Sequence, residues 1–225
     1  VQDRFLHEIG GKGLFVRELE QAMAEDRADI AVHSLKDLPA VLTSEWYLGA
    51  ILPRHSVHDA LIFANAEQRG SFAQGAVVRP ADLKGFGSLS IGTASLRRRC
   101  LFARDLPEAK VAGLRGNVDT RIRKLQDGEF DAIVLAEASL ERLQIDVPYL
   151  RLNPADYIPC AAQGALAIEI PAHSLWRETL AKLDCAQTRL AVETERAVLA
   201  ALGGDCTMPC GVWLSPPQER GANDW

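Results

Sequence analysis

At 225 residues, with a formal net charge of −5, 48% hydrophobic and 24% charged side chains, the chain has an ordinary globular composition and enough apolar content for two or three small domains. Disorder over most of its length is excluded, and no apolar run approaches the roughly 18 residues that a membrane span needs. Val1-Gln2-Asp3-Arg4 carries neither a signal nor a transit peptide, and the five cysteines are odd in number and scattered, so a cytoplasmic protein with reduced thiols is expected. The missing initiator Met and the Pro- and Gly-rich tail over 213–225 lead us to expect that the chain starts late and ends early.

Phe15, Leu19, Ala22 and Met23 recur at i, i+4, i+7 and i+8 and predict an amphipathic helix over residues 13–25. A short buried strand follows at 29–33. Beyond Pro53 a polar stretch with turn signals runs through Gly75 and reads as an irregular crossing into a second domain. Strand and helix then alternate. Strands are expected at 88–92, 110–114 and 131–135, and helices start after the capping residues Ser95 and Asn117 and again over 137–143. This alternation predicts an α/β fold with a parallel or mixed sheet covered by helices on both faces. Trp176, Leu180 and Leu183 mark a further helix, and Leu190, Thr194, Ala197 and Ala201 another that stops at Gly203-Gly204.

Charge is distributed unevenly. From Arg97 to Lys124 nine Lys or Arg stand against three Asp or Glu, a local balance of +6 that leaves −11 for the rest of the chain. The two basic clusters, Gly92-Thr93-Ala94-Ser95-Leu96-Arg97-Arg98-Arg99 and Leu114-Arg115-Gly116-Asn117, each follow an expected strand and open a helix. There the free N–H groups and the helix dipole favour anions, and guanidinium forks add bidentate grip. A solvated helix face is the simpler reading of any single Arg, but two clusters at equivalent turns point to a polyanionic ligand. The acidic remainder and the few nearby aromatics argue against nucleic acid.

In Val32-His33-Ser34-Leu35-Lys36-Asp37-Leu38-Pro39 a buried strand runs out into a Lys-Asp pair, a place where open α/β sheets bind ligands. On an extended segment Lys36 and Asp37 would point opposite ways. His33 reads as a hydrogen-bonded strand residue, since no second ligand stands at metal spacing. Cys206, just past the Gly203-Gly204 stop, is either a modified or nucleophilic thiol or a buried structural one. Cys206 and Cys210 lack the second pair that zinc would need, so no metal is expected. Gly10-Gly11-Lys12-Gly13 has no preceding strand and no Ser or Thr after Lys12, so it reads as a glycine-flanked lid presenting Lys12, not a phosphate loop.

Taken in order, Gly-Gly-Lys-Gly-Leu-Phe-Val-Arg-Glu-Leu-Glu (10–20), Ala-Val-His-Ser-Leu-Lys-Asp-Leu-Pro (31–39), Gly-Thr-Ala-Ser-Leu-Arg-Arg (92–98), Leu-Arg-Gly-Asn-Val (114–118), Ala-Gln-Gly-Ala (162–165) and Gly-Gly-Asp-Cys (203–206) resemble the motifs of the porphobilinogen deaminase (hydroxymethylbilane synthase) family. The resemblance implies a transferase of tetrapyrrole (haem) biosynthesis, acting as a monomer without membrane or nucleic-acid partners. It joins four porphobilinogen molecules with release of ammonia, on a dipyrromethane cofactor thioether-linked to Cys206. Asp37 would be the catalytic carboxylate, stabilising the cationic azafulvene formed when ammonia leaves. Lys36, Thr93, Ser95, Arg97, Arg98, Arg115 and Gly116 would bind the cofactor, and Arg121, Arg142 and Lys12 the substrate. No metal would take part. Three α/β domains are implied, the first two resembling periplasmic binding proteins with the site in their cleft. These are residues 1–54 plus 160–180 without the N-terminal strand and helix, residues 55–159, and residues 181–225 as an incomplete α+β domain that carries Cys206.

Two other readings use the same residues. One is a non-catalytic two-domain receptor for a small carboxylate, and the other an inactive, truncated fragment of the enzyme.

Overall fold

The computed structural model describes residues 11–204 and 208–215, with side chains from residue 15 onward. Its elements are α1 (Gly11–Ala24), β1 (Ala31–Ser34), β2 (Trp46–Ile51), β3 (Asp59–Phe63), β4 (Val77–Val78), α2 (Pro80–Leu83), β5 (Ser90–Gly92), α3 (Leu96–Asp105), β6 (Lys110–Ala112), α4 (Val118–Gln126), β7 (Ala132–Ala136), α5 (Glu137–Leu143), β8 (Tyr149–Leu152), β9 (Leu166–Pro171), α6 (Arg177–Leu180) and α7 (Ala186–Ala201). The described residues form two compact units. One is drawn from 11–54, 161–204 and 212–215, the other from 55–160 and 208–211.

The second unit is a six-stranded mixed sheet in the order β4-β8-β3-β7-β5-β6. β3 runs antiparallel to both β7 and β8, while β5 is parallel to β6 and β7, and β4 to β8. Every residue of β3 and β7 is buried, because helices cover both faces. Side chains alternate across the pleat. Leu61, Phe63 and Val134 pack with Leu83 of α2 and Phe102 of α3, whereas Ala60, Ile62, Ile133 and Leu135 pack with Ile122 and Leu125 of α4 and Leu140 of α5. The mixed sheet and the strand-helix alternation are those expected from the sequence. β3 is a correction, since it lies inside the stretch read as irregular. Its five-residue run Asp-Ala-Leu-Ile-Phe is short and flanked by turn formers, yet it supplies a central strand.

The first unit has a three-stranded antiparallel sheet in the order β1-β9-β2, with Ala31 opposite Glu169 and His33 opposite Ala167. Leu35, Leu38, Leu48, Ile51, Ala165 and Ala167 form a core with Val16 of α1 and Val192 of α7, while Ala50, Ile168, Ile170 and Leu180 form a second cluster. Two helix faces differ from expectation. On α1 Val16 and Met23 are buried while Phe15 and Leu19 are exposed. On α7 the expected stripe of Leu190, Thr194, Ala197 and Ala201 is exposed, and Thr188, Val192, Glu195 and Arg196 face inward. Among the described residues no helix is long and apolar enough to cross a membrane.

Candidate functional site

In the first unit β1 ends at Ser34, and Leu35–Asp37 closes as a single 3-10 turn instead of continuing extended, which corrects the expectation that Lys36 and Asp37 splay to opposite faces. The turn is anchored by burial. Leu35 is fully buried, its amide donates to the Ala165 carbonyl at 3.0 Å, and Leu38 N–H donates back to Leu35 O at 3.2 Å. Lys36 and Asp37, both half-buried, are therefore carried on a fixed backbone. Lys36 Nζ donates to Oε1 of the fully buried Gln163 at 3.4 Å.

Gln163 leads into a buried network. Its backbone carbonyl accepts Arg54 Nε at 2.8 Å, and the Arg54 fork grips both Glu195 oxygens at 2.7 and 3.0 Å. Glu195 also accepts the amides of Ala162 and Leu214, at 2.7 and 2.9 Å. His33 is a strand residue, as expected, and is buried, but the expected hydrogen bond is not made through Nε2, which lies 2.9 Å from Glu169 Oε2 off the N–H direction.

In the second unit the β5-to-α3 turn holds Thr93 and Ser95. Thr93 Oγ1 accepts the Ser95 amide at 3.2 Å, and Ser95 caps α3 by accepting Arg98 N–H at 3.4 Å. Each hydroxyl keeps its proton to donate. Arg97 and Arg98 divide one carboxylate between them, with Arg97 Nη2 2.7 Å from Asp59 Oδ2 and Arg98 Nη2 2.7 Å from Asp59 Oδ1. Their Nη1 atoms donate to the carbonyls of Ile158 and Val134 at 2.7 and 2.9 Å. Both side chains are buried, and burial works against the Arg98 charge, but Asp59 more than compensates and raises its pKa.

The β6-to-α4 turn differs in that its cations are accessible. Arg115 is exposed and Arg121 half-buried, Asn117 caps α4 through Thr120 N–H at 2.9 Å, and Arg121 Nε donates to Gly116 O at 2.7 Å. Gly116 has a φ of +115°, and a Cβ there would lie 2.7 Å from Thr120 Cγ2. Arg142 sits half-buried in the last turn of α5, where burial lowers its pKa against the opposing charge of Glu141. Lys12 falls in α1 with its side chain outside the described residues, and Cys206 lies outside them altogether. α7 ends upstream at Ala201, and Gly203, with a left-handed φ of 66°, follows as the usual helix stop.

The arrangement can grip an anion. In the second unit Arg97 Nε and Arg98 Nε are buried donors without an acceptor among the described residues, and Arg115 and Arg121 add more accessible cations. This donor set fits a ligand bearing several carboxylates, such as a dipyrromethane. Sequence reasoning assigned no part to Asp59, Arg54, Glu195 or Arg196, and it met Gln163 only within the 162–165 motif, with no role. A charged residue opening the apolar run 59–63 was the one available signal, and the others are recognisable only through partners distant in sequence.

The fold and these side chains define a two-unit α/β protein with cationic strand-to-helix turns. Residues 1–175 match the family model for porphobilinogen deaminase, dipyromethane cofactor binding domain. The chain is 44% identical over 211 residues to the porphobilinogen deaminase of Burkholderia vietnamiensis, covering 93% of this chain and 60% of that protein. It is 42% identical over 224 residues to that of Neisseria meningitidis, covering 98% of this chain and 67% of the relative. A solved structure of the BenM effector binding domain with its effector benzoate is also similar, at 14% identity and TM-score 0.46, covering 90% of this chain and 79% of that one. The chain belongs to the porphobilinogen deaminase family, and it spans 60% of the length of the Burkholderia relative.

Proposed function

We propose that the protein of which this chain is part condenses four porphobilinogen molecules into hydroxymethylbilane with release of ammonia, as a cytoplasmic monomer. The observation that carries this reading is the Lys36-Asp37 turn, clamped by the buried Leu35 and Gln163 in a chain that belongs to this family. A carboxylate on so fixed a backbone can accept pyrrole N–H groups and stabilise the positive carbon left when ammonia departs, with little reorganisation. Asp37 is the catalytic carboxylate in this reading.

The dipyrromethane, when bound to Cys206, supplies the primer to which the units are added. Lys36, Thr93, Ser95, Arg115 and Gly116 hold its acetate and propionate groups. Arg97 and Arg98 contribute their spare Nε donors and hold the first turn of α3 in place through Asp59. Arg121, Arg142 and Lys12 receive the incoming substrate.

The test is intact and peptide mass spectrometry of the full-length protein together with turnover of Asp37→Asn. An adduct of dipyrromethane mass on the Cys206 peptide, retained in a variant whose turnover falls at least about 100-fold, is expected. An unmodified Cys206 in the active wild type, or full activity in Asp37→Asn, would refute it. A folded protein with neither adduct nor turnover is what the carboxylate-receptor reading expects.

A further inference from the structure

The Lys36-Asp37 turn is held at its start by β1 and at its centre by Leu35, but its exit depends on a charge from another element. Arg196 of α7 is buried and donates from Nη2 to the Pro39 carbonyl at 2.6 Å. Proline has no N–H of its own, so the chain leaves this turn without an amide to fix it by ladder pairing. Burial pushes the Arg196 pKa down, and Glu193 and Glu169 oppose that shift. Glu169, fully buried in β9, has no directed donor on either oxygen among the described residues and lies against His33 Nε2. A buried carboxylate so placed is tolerated only beside positive charge. Arg196 supplies it from α7, and Glu20, with Arg17 and Glu45 near it, adds negative charge close to Glu169.

We infer that Arg196 is a positioning residue for Asp37: its guanidinium clamps the Pro39 carbonyl, two residues past the carboxylate. The inference rests on the reading of Asp37 as catalytic, but its geometric half can be tested without it. Displacing the exit of the turn moves Asp37, while Lys36 stays tied to Gln163 and the other binding groups lie outside the turn, so the loss falls on turnover more than on affinity.

The experiment compares wild type, Arg196→Met, Arg196→Lys and the double variant Arg196→Met/Glu169→Gln in the full-length, cofactor-loaded protein. It measures kcat, KM, melting temperature and amide hydrogen exchange of the peptide spanning residues 34–39. Arg196→Met is expected to lower kcat at least about tenfold with KM within about twofold, and to speed exchange at Leu35 and Leu38 about tenfold. Arg196→Lys recovers part of both. Adding Glu169→Gln removes the uncompensated carboxylate and restores melting temperature but neither kcat nor protection, and it serves for the same comparison if Arg196→Met alone does not fold. Unchanged exchange and kcat in Arg196→Met overturn the inference, as does recovery of both on adding Glu169→Gln, which would make Arg196 a charge balance only. A wild type without turnover would refute the catalytic reading, and the exchange data would still decide whether Arg196 holds the turn.

Discussion

Glu195 Oε2 accepts the amide of Ala162 at 2.7 Å, and Ala162 holds a left-handed backbone with φ of 61°. An alanine avoids that conformation, because its Cβ crowds the following carbonyl at a cost of about 1 kcal/mol. The strain is held by Glu195, which at the same time takes the Arg54 fork and the Leu214 amide. One carboxylate thus joins the last residue before the crossing to the second unit, the segment ahead of Gln163, and the irregular stretch 212–215.

Glu195→Ala should therefore destabilise the protein by about 4 kcal/mol, since it leaves a buried guanidinium unpaired and two amides without an acceptor. Glu195→Gln, which keeps one acceptor, should lose about half of that. Ala162→Gly in the wild type should be neutral or slightly stabilising, because the relieved strain offsets the added freedom of the unfolded chain. Urea unfolding of the three variants checks the order, and equal stability of Glu195→Ala and wild type would contradict it.

Asp59 holds a similar position in the second unit. It balances two buried guanidinia from the central strand β3, with both oxygens engaged at 2.7 Å. Asp59→Asn should cost about 4 kcal/mol by leaving net positive charge in the interior. Arg97→Lys should cost less, since a lysine keeps the charge but cannot reach Asp59 and the Ile158 carbonyl together. Denaturant midpoints of the two variants would be compared, and a larger loss in Arg97→Lys would argue against Asp59 as the centre of the cluster.

The alternating half of the fold was legible because its signals are local. Ser95 and Asn117 stand at strand-to-helix turns, and both side chains cap the helices that follow. β3 was not legible, because a run of four apolar residues behind Asp59 carries no periodicity of its own. The inward face of α7 was hidden for a different reason. It buries Glu195 and Arg196, whose partners Arg54 and Pro39 stand more than 140 residues away, so a hydrophobic stripe search selects the exposed Leu190 face instead. Arg97 and Arg115 look alike in sequence, both just ahead of or within a helix start. Only the position of Asp59 separates an arginine locked in the interior from one facing solvent.

Gly116 supports the loop that carries Arg115. Its φ of +115° suits glycine, and a Cβ would meet Thr120 Cγ2 and Cβ at 2.7 and 2.8 Å. Gly116→Ala should destabilise by about 2 kcal/mol and weaken anion binding by shifting Arg115 and the Arg121 contact to the Gly116 carbonyl. Adding Thr120→Ser removes the clashing methyl and should recover only part of the stability, because the contact with the residue's Cβ and the backbone strain both stay. Complete recovery would show that the contact, not the φ, demands glycine here.

The acid side of the stability profile is set in part by Glu137, fully buried at the start of α5. Burial alone would raise its pKa, but the Ser56 hydroxyl, Tyr149 OH at 2.7 Å and Arg151 Nε at 2.6 Å outweigh it and hold the carboxyl below its ordinary value. Asp184 is held down likewise, against burial, by Arg189 and the Ile51 amide. A carboxyl with a depressed folded value binds fewer protons folded than unfolded, so unfolding takes up protons. Its stabilisation is complete above the ordinary carboxylate value and is lost as the pH falls through the lower folded one. Glu137→Gln should accordingly reduce stability near neutral pH, where Arg151 loses its carboxylate, and flatten the decline between about pH 5 and pH 3. Urea midpoints measured across that range would show the wild-type and variant curves converging as the pH drops. Parallel curves would mean that Glu137 is not among the groups whose protonation weakens the fold.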